Sequence, residues 1–115
     1  MAQAGEIRVK HILQKHVGSR NPNDSLRNKP ITRSKEEAIA NIQNFLTQIK
    51  SMEDWDRIAA EYSECRSATS GGDLGFFGPG AMQKQFEDAA YATQVGQISG
   101  LVDSDSGIHI ILRLA

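Results

Sequence analysis

The stretch Ile7-Arg8-Val9-Lys10-His11-Ile12-Leu13 alternates in character and reads as a β-strand. Ile7, Val9, His11 and Leu13 fall on one face, with Arg8, Lys10 and Ile12 on the other. A second strand, Ile108 to Leu114, lies at the far end of the chain and is dense in β-branched and aliphatic residues. The turn Asp105-Ser106-Gly107 introduces it. Each strand carries a histidine at its middle, His11 and His109. A histidine so placed is more often a satisfied core residue than a catalyst. Two of them in separate apolar strands can nevertheless meet in one polar network.

Working inward, Val17 to Pro30 is a loop rich in Gly, Ser, Asn, Pro and basic residues. Ser34 with Glu37 three residues later forms a capping box, and helical spacing of apolar residues predicts a helix from Lys35 to about Ser51. Asp54 is expected to cap a second, shorter helix that turns Trp55, Ile58, Ala59 and Tyr62 inward. Ser63 to Asp73 reads as a loop ending in the Gly71-Gly72 turn. A short strand, Leu74 to Phe77, is closed by Gly78-Pro79-Gly80. Gln83 to Tyr91 suits a short helix, and Gly96 and Gly100 punctuate two extended pieces. The order β-α-α-β-α-β-β predicts an α+β fold with a mostly antiparallel sheet and helices packed around it. Residues 7–115 are expected to form one domain, after a flexible N-terminus over residues 1–6.

The bulk numbers agree with a globular domain. Hydrophobic residues make up 39% of the 115 residues and charged residues 23%. No apolar run is long enough to span a membrane, and no secretory signal is visible at the start. Cys65 is the only cysteine, which fits a reducing compartment, cytosol or nucleus. The net charge of −1 hides an asymmetry: Arg8 to Lys35 is strongly basic, and the remainder is acidic. A basic face can hold an anion. The acidic remainder argues against general nucleic-acid binding.

Several chemistries are disfavoured. His11, His16, Cys65 and His109 do not form a zinc-ligand pattern, so no metal is expected. The glycine-rich run Gly71 to Gly80 lacks both the Gly-Lys-Ser/Thr ending and the dinucleotide spacing, so no nucleotide cofactor is expected. Cys65 could be an inert thiol or a nucleophile partnered by histidine, but no protease signature surrounds it.

The motifs together resemble a family. Val9-Lys10-His11-Ile12-Leu13, Trp55-x-x-Ile58-Ala59-x-x-Tyr62-Ser63, Gly71-Gly72-Asp73-Leu74-Gly75-x-Phe77, Met82-Gln83-x-Gln85-Phe86-Glu87 and Asp105-Ser106-Gly107-x-His109-Ile110 are similar to the parvulin prolyl cis/trans isomerases. Order and spacing hold from about Arg8 to Arg113. The similarity is greatest to the subgroup acting on phosphoserine- or phosphothreonine-proline bonds. Members of that subgroup often carry an N-terminal WW module, for which residues before Ile7 leave no room.

This resemblance implies a four-stranded antiparallel sheet flanked by about four helices, the fourth a short turn near Ser67. It implies that Leu74, Met82 and Phe86 cup a proline ring, that Phe77 lines the floor nearby, and that Gln83 can bond the peptide backbone. His11 and His109 would lie beneath the amide, with Cys65 and Ser106 beside them. Parvulins with Asp at the cysteine position favour an electrostatic role for Cys65 over a covalent one. Lys15 and Arg20 match two of the subgroup's phosphate-binding cations, and Asn21 stands where a second arginine is expected. Arg27 and Lys29 could compensate, although solvated loop charge is the simpler reading of both. The implied function is peptidyl-prolyl isomerisation by a monomer in cytoplasm and nucleus, without cofactor. Phosphorylated Ser/Thr-Pro proteins would be its partners. The rival readings are a non-catalytic phosphopeptide-binding module and a cysteine-dependent hydrolase.

Overall fold

The alternating stretch at the start becomes β1 (Ile7–Gln14), one of the two inner strands of the sheet. It pairs antiparallel with β4 (Asp73–Phe77) on one side and β6 (Gly107–Arg113) on the other. β5 (Val102–Ser104) lies beyond β6, giving the order β4-β1-β6-β5. This architecture comes from a computed structural model that describes residues 5–115. Residues 1–4 of the expected flexible N-terminus lie outside the described residues. Of the remaining two residues, Gly5 uses its carbonyl to accept a hydrogen bond from the Tyr91 hydroxyl.

Helices cover both faces of the sheet. On one face Ile12, Ile108 and Ile110 pack against α1 (Lys35–Gln48) and α2 (Met52–Tyr62). On the other, Ile7, Val9, Val102 and Ile111 pack with Phe77 and with Phe86 and Ala90 of α3 (Lys84–Ala92). Burial on both sides explains why β6 reads as a nearly unbroken apolar run rather than as an alternation. The register pairs His11 with Ile111 and Leu13 with His109. Side chains alternate along each strand, so His11 and His109 are diagonal neighbours on the α3 face.

Local signals placed the helices, with corrections at their ends. Ser34 accepts from the Glu37 N–H, and the Glu37 carboxylate accepts from the Ser34 N–H, each at 3.1 Å. That closes the expected capping box. α1 then ends at Gln48 rather than near Ser51, because Ile49 is already extended. This lets Ser51, not Asp54, cap α2: the Ser51 hydroxyl accepts from the Asp54 N–H. Asp54 sits within the first turn and accepts instead from the Lys50 N–H. Trp55, Ile58 and Ala59 point inward as expected. Tyr62 does not; it is 45% exposed and stacks over Phe45 from the solvent side. The fourth helix is a 3₁₀ turn, Arg66–Ser70, within the segment read as loop. Gln83 is the cap residue of α3 rather than its first helical residue.

The basic loop is more ordered than its composition suggests. It contains a two-residue ladder between β2 (Asn23–Asp24) and β3 (Lys29–Pro30). The buried Asp24 carboxylate accepts from the N–H groups of Leu26 and Arg27 and pairs with the Arg27 guanidinium. Arg27 also donates to the carbonyls of Ala60, Glu61 and Ser63 at the end of α2. It is therefore a strap that satisfies orphan helix carbonyls, not solvated loop charge.

Candidate active site

His11 and His109 meet at the centre of the α3 face. Their Nδ1 atoms are 3.0 Å apart and the rings stack. At that distance one nitrogen must carry the shared proton and the other must accept it. The Ser104 hydroxyl lies 2.6 Å from His109 Nε2 and accepts from the Ser106 backbone N–H. The Ser104 hydroxyl can donate to or accept from His109 Nε2, and the His109 tautomer follows that choice. When His11 carries the charge that favours the Cys65 thiolate, its Nδ1–H donates to His109 Nδ1 and the His109 proton sits on Nε2, facing Ser104. Burial, reinforced by the neighbouring His11, pushes the His109 pKa well below 6.5. His109 is thus neutral at physiological pH.

Cys65 follows α2 and precedes the 3₁₀ turn. Burial opposes ionisation of its thiol, but hydrogen bonding and charge interaction with His11, then hydrogen bonds from Ser67, outweigh it. They bring its pKa from 9.0 to about 6. His11 Nε2 has no partner of full hydrogen-bond geometry. A thiolate here places a concentrated negative charge beside two stacked imidazoles.

An apolar pocket of about 310 Å³ opens over this network. Leu74, Met82 and Phe86 supply its apolar walls, and His11, Cys65 and His109 its polar base. Phe86 stands edge-on to both histidines, 5.4 Å from His11 and 5.1 Å from His109 between centroids. Gln83 Nε2 donates to the Ser106 hydroxyl across the rim. Phe77 is buried one layer deeper, 6.5 Å from Phe86, and supports that ring rather than lining the pocket.

A second cavity, about 320 Å³, adjoins the first and shares Arg20, Cys65 and Ser106 with it. Lys15, Arg20, Asn21 and Arg66 line it. Lys15 is buried, and its ammonium donates to the Asn23 carbonyl and the Ser25 hydroxyl, both neutral. The Arg20 N–H donates to the Asp105 carbonyl and so ties the basic loop to the β5–β6 turn.

Residues 11–115 match the Rotamase family, described as a PPIC-type PPIase domain. The chain belongs to this family of parvulin-type peptidyl-prolyl cis/trans isomerases. It is 43% identical over 119 residues to the peptidyl-prolyl cis-trans isomerase Pin1 of Arabidopsis thaliana, with 100% of each chain covered. It is 44% identical to a buparvaquone-resistant peptidyl-prolyl cis-trans isomerase of Theileria annulata, over 96% of this chain and 80% of that one. The peptidyl-prolyl isomerase ESS1 from Candida albicans shares the fold at a TM-score of 0.91 and 37% identity, covering 100% of this chain and 66% of that one.

In the isomerase, the residues singled out from sequence gather at two adjoining cavities, with Phe77 set behind. Two others were missed. Ser104 is the direct partner of His109, and the turn residue Ser106 only supports it through its backbone. The signal was the two-residue hairpin Asp105-Ser106, which pairs Ser104 with Gly107 and Val102 with His109. That register sets Ser104 and His109 on one face. Arg66 had no such signal, because where the 3₁₀ turn aims it depends on the docking of Gly71 and Gly72.

Proposed function

We propose that this isomerase prefers a phosphorylated serine or threonine, or an acidic residue, immediately before the proline, and twists the amide without covalent attack. One observation carries the reading: the apolar pocket and the cationic cavity share a wall made of Arg20, Cys65 and Ser106. A peptide with its proline ring in the first cavity presents the preceding side chain to the second.

The reaction needs only rotation about a bond whose barrier is about 18–20 kcal/mol. Leu74, Met82 and Phe86 hold the ring and exclude water, which favours the less polar twisted amide over the planar one. The Cys65 thiolate beside the carbonyl disfavours the polarity of the planar ground state. His11, stacked on His109, favours that charge by hydrogen bonding and charge interaction with the thiol. The free thiol suits the cytosol or nucleus.

This reading makes Cys65 replaceable by another anion. Cys65→Asp keeps substantial turnover, whereas Cys65→Ala loses at least about tenfold. With an Ala-Pro peptide, which does not itself titrate here, the specificity constant rises with pH through about 6 as the thiolate forms. In Cys65→Asp that limb moves down to the carboxylate range, around pH 4. Equal and complete loss in both folded variants, or a limb that stays near 6 in Cys65→Asp, rules out the electrostatic role.

The anion preference is tested by specificity constants for Ala-Pro, Glu-Pro and phosphothreonine-Pro peptides. A phosphate carries about −1.5 to −2 charges at neutral pH, so the phosphopeptide gains most. Arg20→Ala lowers the ratio of phosphothreonine-Pro to Ala-Pro turnover by about tenfold, and Asn21→Arg raises it. Added salt shrinks the ratio by screening. Equal wild-type constants for Ala-Pro and phosphothreonine-Pro would remove the anion preference and leave the isomerase intact.

A further inference from the structure

Most of the basic residues around the site have structural employment. Arg8 pairs with Asp73, Lys10 with Asp56, Arg27 with Asp24 and Arg33 with Glu64. Three cations differ: Lys15, Arg20 and Arg66 line one cavity, and among the described residues none of them has an acidic partner. Glu64 is the one acid in the wall, and it is taken up by the Arg33 guanidinium and the Lys15 backbone N–H. Arg66 arrives from a different segment than the other two. It opens the 3₁₀ turn directly after Cys65, whereas Lys15 and Arg20 belong to the end of β1 and the loop beyond it.

We infer that Arg66 is the second guanidinium of the anion site, filling the role that the neutral Asn21 cannot. The ligand class is a phosphorylated or carboxylate side chain on the residue preceding proline, so the inference rests on the reading proposed above. Three like charges around one cavity repel each other in the free protein, and a bound dianion relieves that repulsion. Asn21 lines the same cavity but offers only a neutral amide. A guanidinium presents a planar fork that matches two phosphate oxygens, whereas an ammonium acts as a point charge without that geometry. Cys65 borders both cavities, so the residue next to it stands where the proline-preceding side chain meets the cations. The chain thus assembles its cation set from two segments, with the second arginine moved from the basic loop to the turn that carries the thiol.

The test reads the ratio of specificity constants for phosphothreonine-Pro and Ala-Pro peptides in five proteins. These are the wild type, Arg20→Ala, Arg66→Ala, Arg66→Ala combined with Asn21→Arg, and Lys50→Ala. Arg66 is exposed and its guanidinium bonds nothing among the described residues, so Arg66→Ala leaves the fold undisturbed. It lowers the ratio about tenfold, and adding Asn21→Arg restores most of it. Lys50→Ala changes net charge equally but lies outside both cavities, and its ratio stays at the wild-type value. A wild-type ratio near one overturns the anion reading and this assignment together. A high wild-type ratio that falls in Arg20→Ala but not in Arg66→Ala overturns the assignment alone. So does an equal fall in Lys50→Ala, which marks an effect of net charge only, or a fall that Asn21→Arg leaves unrestored, which marks mere support of the turn.

Discussion

Gly72→Ala should cost the isomerase both much of its stability and its active-site geometry. Gly72 has φ +82, and a β-carbon built there lies 2.0 Å from the His11 carbonyl oxygen. The neighbour is backbone in an inner strand, so nothing flexible can move aside. The Gly72 carbonyl also accepts from the His11 N–H at 2.9 Å, and the Gly71 carbonyl accepts from the Trp55 indole at 2.8 Å. The turn is thus clamped between β1 and α2, and relief of the clash must displace His11. The left-handed backbone costs alanine about 1–2 kcal/mol and forced overpacking about 1–3 kcal/mol more. Against a domain stability of about 5–15 kcal/mol that is a large fraction. Urea unfolding of the variant should show a midpoint far below wild type with little change in slope, and prolyl isomerisation by the remaining folded protein should fall steeply. A near-wild-type midpoint with ordinary turnover would show that β1 tolerates the shift and that His11 need not stay where it is.

Phe86→Ala is the second large effect, and it separates the two duties of one ring. Phe86 is almost fully buried in the cluster with Ile7, Val9, Phe77 and Ile111, yet it also walls the apolar pocket. Truncating a buried Phe costs about 3–5 kcal/mol of stability. Loss of its contact with the proline ring, about 1–3 kcal/mol, lowers the specificity constant by roughly 5- to 150-fold. Phe86→Leu keeps most of the volume, so it should recover most of the stability while losing the edge-on contact with His11 and His109. Turnover and thermal unfolding measured on both variants divide the contributions. If Phe86→Ala stays folded and turns over an Ala-Pro peptide at the wild-type rate, the ring is core alone and the proline sits elsewhere.

Much of this was legible before any coordinates. The alternation of Ile7 to Leu13, the Ser34–Glu37 capping box and the inward stripe Trp55, Ile58, Ala59 are short-range signals, and each produced the element expected of it. They are legible because a helix or strand repeats over a few residues, and its partner surface is announced by that repeat. The family motifs likewise named the members of the pocket, since each motif is a local run.

What the sequence alone determined is therefore the main helices and sheet strands, the α+β class, the two histidine strands and the isomerase family, but not the β2–β3 ladder inside the basic loop. Tertiary structure decided the rest. Ser51 displaced Asp54 as a cap because α1 stopped early, and Tyr62 turned outward to cover Phe45. Ser104 became the histidine's partner through the register of β5 on β6. Arg27 became a strap because α2 happens to end beside the loop, while Arg66, with the same charge, lies at a cavity with no acidic partner among the described residues. A cation's role depends on whether an acid or an orphan carbonyl comes within a few ångströms of it. That proximity is set by chain segments tens of residues away, and no local repeat records it.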